Sequence, residues 1–104
     1  MYAVYSKNKS IERNYDDLIS SLEKAEQKKL MTTLTKYPKG VPRDSRVENI
    51  GRIEKKGKFW QYYAPDGYRV VYSVYDKPLK QVLVLFAGDH EEAAIWLRSN
   101  AESK

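Results

Sequence analysis

Residues 65–75 read Pro-Asp-Gly-Tyr-Arg-Val-Val-Tyr-Ser-Val-Tyr, a turn followed by an alternating β-strand. In such a turn proline presets one backbone angle and glycine accepts a positive one. Successive side chains of a strand point to opposite faces, which gives the sets Tyr68, Val70, Tyr72, Val74 and Arg69, Val71, Ser73, Tyr75. Arg69 therefore shares the more polar face of the predicted sheet.

The period of two continues on both sides of this strand. Val47–Glu54 and Phe59–Ala64 are predicted strands, joined by a glycine-containing turn at residues 55–58. Asp76-Lys77-Pro78 ends the alternating strand, and the apolar residues 81–87 suit the interior of a sheet. Residues 2–6 favour a short N-terminal strand. The sequence thus predicts a mostly antiparallel sheet.

The spacing of apolar residues predicts two helices in the first part of the chain. Ile11, Tyr15 and Leu18 lie on one face of a first helix. Ser20 and Glu23 match a capping box that would start a second helix. The apolar face of that second helix is Leu22, Ala25, Leu30, Leu34 and Tyr37, with Pro38 and Gly40 ending it. Residues 39–45 then form a loop.

A last helix is predicted after the apolar strand. Asp89 and Glu92 have the spacing of another capping box, and Ile95, Trp96 and Leu97 supply the apolar side. The order of elements predicts an α+β fold, in which an N-terminal strand and a helical hairpin pack on one face of the sheet. A length of 104 residues fits a single domain spanning residues 1–104.

Composition excludes several classes of protein. The chain has no cysteine and a single histidine, so disulfides, thiol catalysis and thiolate metal sites are ruled out, and we expect no metal or cofactor. The longest apolar run, Val82 to Ala87, is far shorter than the roughly 20 residues of a membrane span. The N-terminus lacks the pattern of a secretory signal, which predicts a cytoplasmic protein.

The net charge of +5 is concentrated in the middle of the chain. Residues 39–85 carry ten basic and five acidic side chains, interleaved with aromatic residues at positions 59, 60, 62, 63, 68 and 72. Cations for phosphates and flat rings for unstacked bases are the combination that single-stranded RNA recognition uses. A solvated charged surface around ordinary strand aromatics accounts for the same composition equally well.

The segment Gly67-Tyr68-Arg69-Val70-Val71-Tyr72 resembles the G-Y-R-V-I/V-Y strand of the RelE/ParE toxin family. In that family, as here, an apolar strand, a glycine and a short polar segment follow. The resemblance is specific over residues 67–96 and implies a toxin of a toxin-antitoxin pair, with a cognate antitoxin protein as partner. Many members cleave messenger RNA in the ribosomal A site, whereas the ParE branch poisons DNA gyrase.

Cleavage of RNA without a metal needs a proton acceptor, a donor to the leaving oxygen and cations at the phosphate. The resemblance implies that Arg69 contacts the phosphate, as its fork of donors permits; a surface salt bridge is the alternative interpretation. His90, two residues after Gly88, is the candidate for proton transfer, because an imidazole titrates near neutral pH. A solvated polar residue at a helix start is the alternative.

The remaining candidate residues follow from a difference between this sequence and the family pattern. Ribonuclease members carry lysines on the strand before G-Y-R, whereas residues 59–64 here contain no basic side chain. The positive charge would come instead from Arg52, Lys55, Lys56 and Lys58, which we predict to bind RNA, while Tyr62 would act through its hydroxyl. Trp96 either stacks on a base or packs the last helix onto the sheet.

Three functions are consistent with these residues. The leading hypothesis is a ribosome-dependent endoribonuclease that uses no metal. The missing strand lysines favour two alternatives, a gyrase inhibitor without nuclease activity and a catalytically inactive domain that binds only its antitoxin.

Overall fold

The computed structural model describes residues 1–41 and 50–101. Five strands form one sheet in the order β1-β5-β4-β3-β2. The strands are β1 Ala3–Ser6, β2 Arg52–Lys56, β3 Phe59–Tyr63, β4 Tyr68–Tyr75 and β5 Gln81–Asp89, and the helices are α1 Lys9–Ser21, α2 Lys24–Lys36 and α3 His90–Ala101. β1 is parallel to β5, and the other neighbours are antiparallel. The α+β class is confirmed.

Hydrophobic residues on alternate positions divide the core between the two faces of the sheet. One cluster packs α1 and α2 onto the first face and contains Tyr15, Leu18, Leu30, Leu34, Tyr62, Val70, Tyr72, Val82 and Val84. A smaller cluster packs α3 onto the second face through Phe59, Val71, Leu85 and Ala93. Since Val70 and Val71 belong to different clusters, the predicted alternation of the strand at residues 68–75 is confirmed.

The predicted start of the second helix is wrong. Leu22 ends α1 in an extended conformation, and Glu23 precedes α2 without any side-chain hydrogen bond to the backbone. Gln27 instead donates to the carbonyls of Ile19 and Leu22, at 2.8 and 3.1 Å. Because α1 continues through Ser21, Ser20 is helical and cannot act as the extended N-cap of α2, so the Ser20–Glu23 capping box does not form. Ala25, predicted on the apolar face of α2, is exposed.

The hairpin between β2 and β3 is tighter than predicted. Lys55 and Lys56 belong to β2, and only Gly57 and Lys58 form the turn, because Lys56 pairs directly with Phe59. The predicted strand beginning at Val47 starts outside the described residues, and its described part begins at Arg52. β3 ends at Tyr63, one residue before the prediction.

The predicted capping box at the last helix is confirmed. Asp89 Oδ1 accepts from the Glu92 N–H at 2.8 Å, and Glu92 Oε1 accepts from the Asp89 N–H at 3.1 Å. β5 ends at Asp89 and α3 begins at the next residue. This junction therefore fixes His90 directly beside the end of the sheet.

Candidate functional site

Polar side chains cross three strands on the sheet face that carries α3. The register pairs Arg52 with Tyr63 and Tyr63 with Arg69, so these three residues form one row across β2, β3 and β4. A second row pairs Glu54 with Gln61. Directly paired residues project to the same face of a sheet. The resulting surface combines guanidinium, phenol, amide and carboxylate groups.

A cavity of about 360 Å³ opens between this surface and α3. Its lining residues are Lys56, Gln61, Tyr63, Arg69, His90, Ala94 and Leu97. The strands contribute the cations and polar groups, and α3 contributes His90 with an apolar wall. Arg69 and His90, which the sequence assigned to one site, thus line the same cavity although they lie on different elements.

His90 is positioned by its backbone junction and by a close neighbour. It is the first residue of α3, between the two partners of the capping box. Its Nδ1 atom lies 3.2 Å from the point where a Cβ on Gly67 would stand. Gly67, with φ of 80°, therefore leaves room for the imidazole beside the start of β4.

Arg69 is held by two contacts. Its Nη1 donates to the Tyr68 carbonyl at 2.9 Å, and its guanidinium carbon lies 4.3 Å from the centre of the Tyr63 ring. Arg69 forms no salt bridge with any described residue. A guanidinium has five N–H donors, so most of them stay available to a bound anion.

A chain of hydrogen bonds borders the cavity. The Tyr63 hydroxyl donates to Glu54 Oε1 at 3.0 Å and accepts from Gln61 Nε2 at 3.3 Å, and Lys56 Nζ lies 2.8 Å from the same carboxylate oxygen. The hydrogen bonds from Lys56 and Tyr63 hold the pKa of Glu54 below its usual value. The same carboxylate raises the pKa of Lys56. Both groups are therefore charged at neutral pH.

Other predicted site residues lie away from the cavity. Tyr62 is 1% exposed in the core beneath the helical hairpin, where burial raises its pKa to about 12. Its hydroxyl cannot reach a substrate beside Arg69, so we remove it from the catalytic set. Lys55 projects to the sheet face that α1 and α2 cover, with its Nζ atom 5.8 Å from the centre of the Trp60 ring. Lys58 lies at the hairpin turn, 5.3 Å from the Phe59 ring.

Trp96 packs against two other aromatic rings. Its ring centre lies 5.0 Å from that of Phe59 in an edge contact and 6.3 Å from that of Phe86 in a stacked one. These contacts attach α3 to the sheet. They support the packing interpretation of Trp96 over base stacking.

Sequence reasoning missed Tyr63 and Gln61. Tyr63 enters the prediction only as one of the interleaved aromatic rings, Gln61 is not singled out, and Tyr62 is chosen from the same segment. The signal that could have found them is strand alternation. Tyr63 pairs with Arg69 across the connection at residues 64–67, so the odd-numbered residues of β3 lie on the same sheet face as Arg69. Locating that face required the length of the connection, which Ala64 fixes by donating its N–H to the Tyr68 carbonyl at 2.9 Å.

A second cavity, of about 300 Å³, lies where α1 approaches the end of β5. Its lining includes Asp17 and Glu92, whereas the cavity at Arg69 is lined by Lys56, Arg69 and His90 without a carboxylate. An anionic ligand is therefore favoured in the cavity at Arg69. We take that cavity as the candidate functional site.

Comparison with protein-family models, curated proteins and solved structures finds no significant match to this chain. Among the helices of residues 1–41 and 50–101, none combines the length and the apolar character that a bilayer crossing requires.

Proposed function

We propose that this protein is a RelE/ParE-type toxin of a toxin-antitoxin pair that cleaves messenger RNA in the ribosomal A site without a metal ion. The observation that carries the proposal is the shared cavity: Arg69 supplies positive charge that no described carboxylate pairs, and His90 supplies an imidazole that can accept and donate a proton. The resemblance of residues 67–72 to the family strand supports it independently. The proposal places the protein in the cytoplasm with a cognate antitoxin.

The proposed chemistry uses the RNA itself as nucleophile. A ribose 2′-hydroxyl gives its proton to the His90 imidazole as its oxygen attacks the adjacent phosphorus. The bond to the 5′-oxygen breaks, and that oxygen receives a proton from the imidazolium. The products are a 2′,3′-cyclic phosphate and a 5′-hydroxyl end. Arg69 stabilises the negative charge that develops on the phosphate oxygens.

The decisive experiment is induction in cells followed by mapping of messenger RNA ends. We expect cleavage within translated codons and 5′-hydroxyl products. Arg69→Ala and His90→Ala should each abolish cleavage and relieve growth arrest, because each removes a group that lines the cavity. Arg98→Ala is the matched control, since Arg98 is an exposed arginine of α3 that does not line it. Intact transcripts under wild-type induction would refute the proposal.

A supercoiling assay with purified gyrase separates the main alternative. The nuclease proposal predicts that gyrase activity is unaffected by a stoichiometric amount of toxin. Inhibition of gyrase together with intact messenger RNA would favour the gyrase inhibitor and overturn the nuclease.

A further inference from the structure

Two guanidinium groups share one aromatic ring in this site. The Arg52 guanidinium carbon lies 4.4 Å from the Tyr63 ring centre, and that of Arg69 lies 4.3 Å from the same centre. Each arginine comes from a different neighbouring strand, in direct register with Tyr63. The negative face of an aromatic ring attracts a guanidinium placed over it, so the Tyr63 ring attracts both cations. Tyr63 therefore stabilises a paired arrangement of cations.

The ring itself is held at its hydroxyl end. Because Tyr63 gives its own proton to Glu54, its oxygen accepts the N–H of Gln61. Gln61 is only 6% exposed, so this donor sits in the wall of the cavity rather than in solvent. With its hydroxyl fixed by two partners, the ring presents a defined surface to both guanidiniums.

The two arginines keep donors free for a ligand. Arg69 commits one N–H to the Tyr68 carbonyl. Arg52 is exposed, and its side chain forms neither a hydrogen bond nor a salt bridge with any residue the structure describes. Glu54, a carboxylate on the same face, forms its salt bridge with Lys56 at 2.8 Å. An incoming phosphate therefore meets two guanidiniums that form no salt bridge with a described residue.

We propose that Arg52 forms a second phosphate subsite beside Arg69, and that Tyr63 is the positioning residue that holds the two as a clamp on neighbouring phosphates of one RNA strand. This inference rests on the proposed function, in which Arg69 contacts the scissile phosphate. It adds a requirement for charge on the next phosphate of the substrate. A planar guanidinium with paired donors suits a phosphate oxygen pair better than a point charge does.

The test uses ribosomes programmed with a short messenger RNA and excess protein, so that one round of cleavage is measured. One set of messages carries a neutral methylphosphonate immediately 5′ or 3′ of the scissile phosphate. For the wild-type protein, one of these two positions should slow cleavage about tenfold or more, because a charge-assisted hydrogen bond is lost. Arg52→Ala should show a similar loss on the unmodified message and no further loss on the methylphosphonate message.

Variants of Tyr63 separate positioning from mere folding. Tyr63→Leu removes the ring and should lower the maximal rate as well as apparent affinity, while also removing the methylphosphonate effect. Tyr63→Phe keeps the ring and loses only the hydroxyl contacts, so it should retain part of that effect. If Tyr63→Leu fails to fold by circular dichroism, Tyr63→Phe and Arg52→Ala carry the test. Arg98→Ala should behave as wild type throughout.

The outcomes distinguish the clamp from the nuclease. If the wild type cleaves but Arg52→Ala stays as sensitive to the methylphosphonate as the wild type, the clamp is overturned and the nuclease stands. The clamp is likewise overturned if neither methylphosphonate position affects the wild type. Absence of any wild-type cleavage would overturn both.

Discussion

Gly67→Ala tests how the cavity is built. Gly67 has φ of 80°, and its absent side chain leaves space that the His90 imidazole approaches. Gly57, in the hairpin turn, has φ of 62° and nothing within 4 Å of an added Cβ. The two substitutions therefore impose the same kind of backbone strain, and only one of them touches the candidate site.

The two variants should lose similar stability, but only Gly67→Ala should also lose cleavage rate. An L-residue in the left-handed region costs about 1–2 kcal/mol, which both variants lose. For a domain of this size, the melting temperature falls by about 4–8 °C for each kcal/mol. At Gly67 the new Cβ would also stand 3.2 Å from His90 Nδ1, so the ring must move by a few tenths of an ångström. Since a displacement of about 1 Å can cost 100-fold in rate, we expect a threefold to tenfold loss, roughly, for this shift.

The assay compares thermal melts, single-turnover cleavage rates and the imidazole NMR signals of the two variants. Both should melt lower by similar amounts, but only Gly67→Ala should cleave more slowly and shift the His90 resonances. Equal cleavage rates in the two variants, or unchanged His90 signals in Gly67→Ala, would refute the proposed contact between Gly67 and His90.

Three further predictions concern stability. Asp89→Ala removes the side-chain acceptor at the start of α3 and should lower the free energy of unfolding by about 1 kcal/mol in urea titrations; an unchanged midpoint would contradict the cap. Burial raises the pKa of Tyr62 to about 12 and also raises the pKa of Tyr72. The contribution of these two neutral phenols to the free energy of unfolding should therefore be fully present below the pKa of an unfolded tyrosine, about 10, and should fall as pH rises towards their pKa values in the folded protein. Circular dichroism with tyrosinate absorbance measures this, and a flat profile there would contradict it. The hydrogen bond from Lys39 at 2.7 Å is the main cause of the lowered pKa of Asp76. The contribution of ionised Asp76 to the free energy of unfolding is therefore present above the pKa of an unfolded aspartate, about 3.9, and is lost as pH falls. Asp76→Asn should make the free energy of unfolding slightly less dependent on pH in acid, and an unaltered acid profile would count against this contribution.

The parts of the site that depend on local pattern were predictable. The face of Arg69 follows from strand alternation within β4, and the start of α3 follows from the Asp89–Glu92 capping box. Because both features involve residues at most three positions apart, the sequence contains everything that determines them.

The parts that depend on distant partners were not predictable. Tyr62 and Tyr63 are neighbours with the same aromatic side chain, and only the pairing of β3 with β4 decides which one meets Arg69. The Ser20–Glu23 box does not form because α1 continues through Ser21, and the carbonyls of Ile19 and Leu22 accept from Gln27 in the next helix. Membership of the RelE/ParE family and the role of each cation stay predictions.

The parallel pairing of β1 with β5 has a consequence for synthesis of the chain. The first strand finds its neighbour only after residues 81–84 have been made, and His90 lies beyond them. The helical hairpin depends on local contacts and can collapse early, whereas β1 stays without its neighbour until β5 is present. A chain that has not yet reached His90 therefore has neither a paired β1 nor the α3 wall of the cavity.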